Sequence, residues 1–371
     1  MSTSPSLRDI PPNTPVKRVD VLVAAAKVER QALRFALGAA VAAALFSLLF
    51  VRSPTLPIAG ALKSVSGYSL MFTLVIGLLV GPLAYWQGAM ETNRAVTGAR
   101  RHDFRWSIVP ITLGLSVAST LAMMALWELF SRVFTNAVLE RSFYLIVFVG
   151  IAGAATYVLY QALAHIDSLS LLYLSLLGIF GSFFFSALLH PNPYWWEFSF
   201  SHLGTAESDV RFLFNIGLVV TAVLLIAWQQ FFMEDVMALQ RHGLVSVRTQ
   251  RFLRIMLIAM ALGAGGTGAI RWGISPFLNV MHTVAASGFG IAVGLILASL
   301  PWTMPFQPRE LLYASYTLLA LVLLVVIFRV AGQISLVGMQ MSATLLGSFW
   351  IIIFVRNTKL IVDRLEAEPE R

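Results

Sequence analysis

The sequence predicts an all-α protein, a polytopic transmembrane helical bundle of about ten spans (four plus six) with both termini cytoplasmic. Three observations carry that reading. Hydrophobic residues make up 58% of the 371 positions and charged residues only 12%, about half of the roughly 25% that a water-facing surface needs. Apolar runs of about twenty residues recur along the chain, and a helix rising about 1.5 Å per residue needs roughly that many to cross about 30 Å of hydrocarbon. Lys and Arg lie between these runs and mostly on one side.

The elements follow in order. Residues 1–34 form an N-terminal cytoplasmic tail; its start is polar and punctuated by Pro11, Pro12 and Pro15, a composition of disordered segments. The first apolar run begins near Leu33 and lacks a small-residue cleavage site, so it does not read as a secretory signal. Between Val21 and Arg34 apolar and charged residues mix. That stretch reads either as a short helix lying on the membrane surface or as a solvated lead-in to the first span. Spans are expected at about 35–51, 68–86, 106–127 and 142–163, then at 168–189, 210–232, 252–272, 279–300, 310–330 and 334–355. The tight turn Ala164-His165-Ile166-Asp167-Ser168 divides a four-span part, 35–167, from a six-span part, 168–355. Residues 356–371 form a charged cytoplasmic tail.

Orientation comes from the cations. With the N-terminus inside, only Arg52, Lys63, Arg132, Arg141, Arg211, Arg271 and Arg329 of the 26 Lys and Arg fall outside. That bias puts both ends in the cytoplasm, in agreement with an even span count. Runs such as Arg100-Arg101-His102-Asp103 and Arg241-His242 then read as inside anchors or contacts with anionic headgroups. The net charge of +8 thus belongs to membrane orientation, with no nucleic-acid partner implied. No cysteine is present, which excludes disulfides, thiolate metal sites and cysteine nucleophiles.

Small residues indicate how helices meet in lipid. Gly77 and Gly81, and again Gly290 and Gly294, share a helix face and predict close backbone approach, either within the chain or toward membrane-protein partners. Gly263, Gly265, Gly266 and Gly268 crowd the seventh span, where they either pack closely or break the helix around a substrate.

Polar residues concentrate at the outer ends of the fifth to eighth spans. Ser186 and His190 are four apart and share a face; Glu197, Ser199, Ser201 and His202 follow in the loop, Asp209 and Asn215 open the sixth span, and Arg271 and His282 flank the seventh and eighth. Three imidazoles and two carboxylates have the chemistry to ligate a metal such as zinc, and a histidine can activate a serine hydroxyl or a water. Interface anchoring and helix capping explain the same residues, with Tyr194, Trp195 and Trp196 as an aromatic belt. His165 and Asp167 read as caps of the turn they occupy, and Glu128, Arg132, Glu140 and Arg141 as an amphipathic outer extension.

The run Phe198-Ser-Phe-Ser-His-Leu-Gly204, followed by Val210-Arg-Phe-Leu-Phe-Asn-Ile-Gly217, resembles the bacterial membrane family catalogued as domain of unknown function 998. It is distantly similar to the DRAM-like six-span proteins. The resemblance covers about 168–355 and implies a six-span module in a superfamily linked to lipid organisation. Ser186 and His190 are also similar in spacing to a motif of the ceramidase-like membrane hydrolases, but the second histidine of their paired motif is missing, since Ala286 stands four residues after His282.

Together these readings describe a multi-pass protein of the plasma (inner) membrane, a lipid- or envelope-associated binding or transport component in contact with membrane lipids. The alternatives are a metal-dependent hydrolase with its site on the outer face, and a scaffold for partner membrane proteins. The sequence specifies neither a cofactor nor a metal.

Overall fold

The computed structural model describes residues 16–60, 63–96, 107–205 and 211–367. The chain is helical almost throughout: α1 Val16–Phe50, α2 Val65–Val96, α3 Ile108–Val133, α4 Arg141–Ala164, α5 Ser168–Leu188, α6 Arg211–Arg241, α7 Val247–Ala269, α8 Pro276–Thr303, α9 Arg309–Val330 and α10 Leu336–Ala367. All ten are long and apolar enough to cross a membrane. The chain is therefore a multi-pass integral membrane protein. Its first fifteen residues, the Arg100–Asp103 run and Asp209 lie outside the described residues.

Two compact units divide the chain. One joins residues up to Ser116 with Phe134–Ile166, and the other joins Val117–Val133 with Asp167–Arg371, so α3 is shared between them.

In the first unit α1 is one unbroken helix from Val16, so the mixed stretch 21–34 continues straight into the span. Polar groups pin α1 antiparallel to α4 at both ends. The Tyr144 hydroxyl donates to the Ser53 carbonyl at 2.6 Å. At the other end the Tyr157 hydroxyl donates to the Glu29 carboxylate at 2.9 Å, and the Gln161 amide donates to it too. Without water, such groups must find partners inside the protein. Gly88 allows α2 to lie directly on the backbone of Ala164, where a Cβ would collide. α3 runs on through Glu128 and Arg132 to Val133, and beyond it β2 (Val138–Glu140) pairs antiparallel with β1 (Thr55–Pro57) from the loop after α1. Three residues per strand are too few to leave a period-2 signal in the sequence.

The second unit is built around α6. The apolar stretch of α6 is 72% buried, against 17% for those of α9 and α10. α7 sits between α6 and α8 by means of its glycines. A Cβ on Gly263 would lie 2.7 Å from Phe289 N and 2.8 Å from Ala285 O of α8, and one on Gly265 would lie 3.0 Å from Ala222 of α6. Gly268 rests against Asn215 and Leu218 of α6. These glycines pack an unbroken helix, and the broken-span alternative is not realised. Gly290 and Gly294 correct the within-chain half of the sequence reading, since nothing lies within 4 Å of where their Cβ atoms would be. Their spacing places both on one face, and spacing alone does not say whether a helix covers that face.

Caps fix the ends of these helices. Asp167 caps α5 in a reciprocal box with Ser170, and Ser275 caps α8 with Pro276 in its first turn. The His165 ring closes on the Gln161 carbonyl at 3.0 Å, the capping role that its turn implied.

Candidate functional site

The connection from α5 to α6 forms a cap on the second unit. Two short 3-10 turns fold it down, Phe200–Gly204 onto α5 and α6 and Trp195–Glu197 against the second turn and α10. The sequence dictates this through its aromatic residues. Phe183 of α5 stacks on Phe200 at 4.4 Å and on Phe214 of α6 at 5.7 Å, and Trp195 stacks on Phe200 at 6.1 Å. Such pairs contribute about 0.5–1.5 kcal/mol each beyond area burial. Trp195 thus turns inward, while Tyr194 and Trp196 stay exposed as interface residues. At the far end of the second turn Gly204 lies against α6, where a Cβ would stand 2.8 Å from Phe214. The Asn215 amide donates to the Gly204 carbonyl at 2.9 Å. Asn215 therefore holds the cap in place.

Two sets of polar side chains meet within this cap. In the first, the Nδ1 of buried His282 lies 2.6 Å from the Ile270 carbonyl, and its Nε2 lies 2.7 Å from the Ser201 hydroxyl. A carbonyl only accepts, so Nδ1 carries the proton and Nε2 accepts from Ser201. The loop between α7 and α8 makes that carbonyl available. Ile270 ends α7, Gly273 turns with a positive φ of 88°, and the Gly273 N–H donates to the Asn279 side chain at 2.7 Å.

The second set joins α5 to the cap. The rings of His190 and His202 are 5.5 Å apart, and Phe198 stacks on His202 at 4.5 Å. His190 is 6% exposed and Ser186 1% exposed, and neither His190 Nε2 nor the Ser186 hydroxyl has a hydrogen-bond partner. Other buried helical hydroxyls, such as Ser175, Ser182, Thr221 and Ser315, donate to the carbonyl four residues earlier. Ser186 is the one buried Ser or Thr hydroxyl among the described residues left without a partner. The Asn192 N–H donates to His190 Nδ1 at 3.1 Å, with the Asn192 carbonyl at the same distance. Both the tautomer that accepts this N–H and the imidazolium keep a proton on Nε2. Beside this set, the Arg132 guanidinium donates to the Leu189 carbonyl at 2.9 Å and pairs with Glu128. A cation therefore stands next to the residue preceding His190.

The remaining sequence candidates divide. Ser199 supplies a carbonyl to the His202 N–H. Glu197 and Arg271 are exposed in their loops and do not join either set. Among the described residues no three or more His, Cys, Asp or Glu side chains are grouped to hold a metal. The three histidines do gather at the cap, His282 through Ser201 and His190 against His202, but without the grouped carboxylates that a metal site would need among the described residues. Similar membrane depth brought the histidines to one end of the bundle, but ligand geometry depends on side-chain directions that spacing does not specify. The roles of Arg132, Ile270 and Asn192 were not legible. Two of these act through the backbone carbonyl or N–H of a residue whose side chain gives no hint of it.

Scans against family models, curated proteins and solved structures find no match to this chain.

Proposed function

We propose that this multi-pass membrane protein is a lipid-binding component that takes the phosphate of a phospholipid headgroup at Ser186 and His190. One observation carries the reading: Ser186 in the last turn of α5 and His190, four residues on and just past the end of that helix, are both buried, and each has an unused hydrogen-bonding atom. Leaving such a group unmet costs about 1–3 kcal/mol, and a phosphate oxygen accepting from both would remove that cost. The Arg132 guanidinium at Leu189 favours an anion at this place. The excess of Lys and Arg in the loops taken as cytoplasmic supports a site on the outer face of the plasma (inner) membrane, with both termini cytoplasmic. The resemblance carried by Phe198–Gly204 and Val210–Gly217 points the same way, toward lipid organisation.

Thermal shift of the purified protein in detergent tests this. Dioleoylphosphatidylglycerol should raise the melting temperature, whereas dioleoylglycerol, which lacks phosphate, should not. Inorganic phosphate alone separates a free-anion site from a lipid site. Ser186→Ala with His190→Phe should weaken the phospholipid effect by about 10- to 100-fold in affinity, the worth of hydrogen bonds to a charged group. Equal stabilisation of wild type and variant by the phospholipid would reject the site.

A further inference from the structure

Ser201 and His282 have the arrangement of a nucleophile and its base, and we propose that they cleave a carboxylic ester of the lipid bound at the neighbouring site. The substrate class rests on the headgroup reading above, whereas the reactivity of Ser201 does not. Three features of the pair support the assignment. The Oγ–Nε2 distance is 2.7 Å, within the reach that a general base needs. The Ile270 carbonyl, 2.6 Å from Nδ1, fixes the tautomer that aims the Nε2 lone pair at the serine proton. The ring is held from the side as well, with Trp272 edge-on at 5.7 Å.

The location suits the chemistry. Ser201 and His282 are 9% and 3% exposed, and a dry site strengthens a proton transfer between them. Ser201 is joined directly to His202, whose ring is 5.5 Å from that of His190. A phospholipid held by its phosphate at His190 and Ser186 would carry its glycerol esters close to that point. A carbonyl in place of the usual carboxylate orients the ring but adds no full negative charge. Activation is accordingly weaker than in a Ser-His-Asp triad.

The step balances as acyl transfer followed by hydrolysis. Ser201 Oγ attacks the ester carbonyl carbon while its proton moves to His282 Nε2. The tetrahedral adduct collapses, the C–O bond to the glycerol oxygen breaks, and Nε2 returns the proton to that oxygen. Water, deprotonated by the same Nε2, then attacks the acyl carbonyl carbon, the C–O bond to Ser201 Oγ breaks, and Nε2 returns the proton to that oxygen as the fatty acid leaves. Ester and water become acid and alcohol, and no metal or oxidant is consumed.

A fluorophosphonate probe reads the nucleophile directly on the full-length protein in detergent micelles. Peptide mapping should find the adduct on Ser201 and not on Ser186. The labelling rate should rise with pH as His282 loses its proton, and it should fall about 100-fold or more in His282→Gln, the usual contribution of a general base. The mapping and the pH profile use wild type, so a variant that fails to fold does not decide the result. No adduct on Ser201, in protein that still binds phosphatidylglycerol, would overturn the dyad while sparing the binding site. An adduct on Ser201 in protein that does not bind the lipid would support the dyad and overturn the headgroup reading.

Discussion

His282 is satisfied at both ring nitrogens, whereas His190 is satisfied at one. That difference separates the two histidines although both stand at the same end of the bundle. The two partners of His282 fix its ring and aim Nε2 at Ser201, whereas His190 keeps an unused nitrogen for a ligand. At the other end of α5, Asp167 shows a third case. Its partial burial would raise the carboxyl pKa, but the Lys359 ammonium and the Ser170 box hold it below the ordinary value. A carboxylate lowered in the folded state adds stability above its unfolded pKa, and that stability is lost as the pH falls through the folded value. Stability should therefore decline from about pH 5 downward, near and below the ordinary carboxylate range. Lys359→Gln should flatten that acid-side decline and cost no more than about 1 kcal/mol at neutral pH, since the pair is partly exposed. Melting curves of both proteins across this range check it, and identical acid-side slopes would contradict the role given to Lys359.

At the scale of elements, glycine position decides more than glycine spacing. Gly263→Leu would drive a side chain into the backbone of Ala285 and Phe289 and should destabilise by about 1–3 kcal/mol, the usual cost of overpacking. Gly290→Leu, with open space around it, should leave the melting temperature in detergent nearly unchanged. A larger loss for Gly290→Leu than for Gly263→Leu would mean that α7 and α8 pack through the other face. The sequence made the ten apolar helices legible, because about twenty apolar residues leave few alternatives in lipid. It also marked Asp167 and His165 as caps. Which glycine face was covered was not legible, since GxxxG spacing is the same on a face toward lipid and a face toward a helix. Nor were β1 and β2 legible, or the continuity of α1 through its charged residues. Glu29 can enter that helix because Tyr157 and Gln161 supply its hydrogen bonds from α4, partners more than a hundred residues away.

At the scale of the whole molecule, ten helices able to span a membrane carry a histidine–serine cap at one end of the second unit. The functional reading depends on which side that cap faces, because the leaflet and its lipids differ between the two sides. Under the proposed function the cap lies on the outer face, opposite the Arg241–Arg248 turn and the C-terminal tail, as the cation bias of the sequence leads one to expect. The chain lacks cysteine, so single cysteines can be introduced without removing any others. The most direct measurement is labelling of Asn192→Cys and Gly243→Cys in intact cells with a membrane-impermeant maleimide. Labelling of position 192 alone, with position 243 reacting only after permeabilisation, is the predicted result. Labelling of position 243 in intact cells, with position 192 protected, would contradict the account by placing the cap in the cytoplasm.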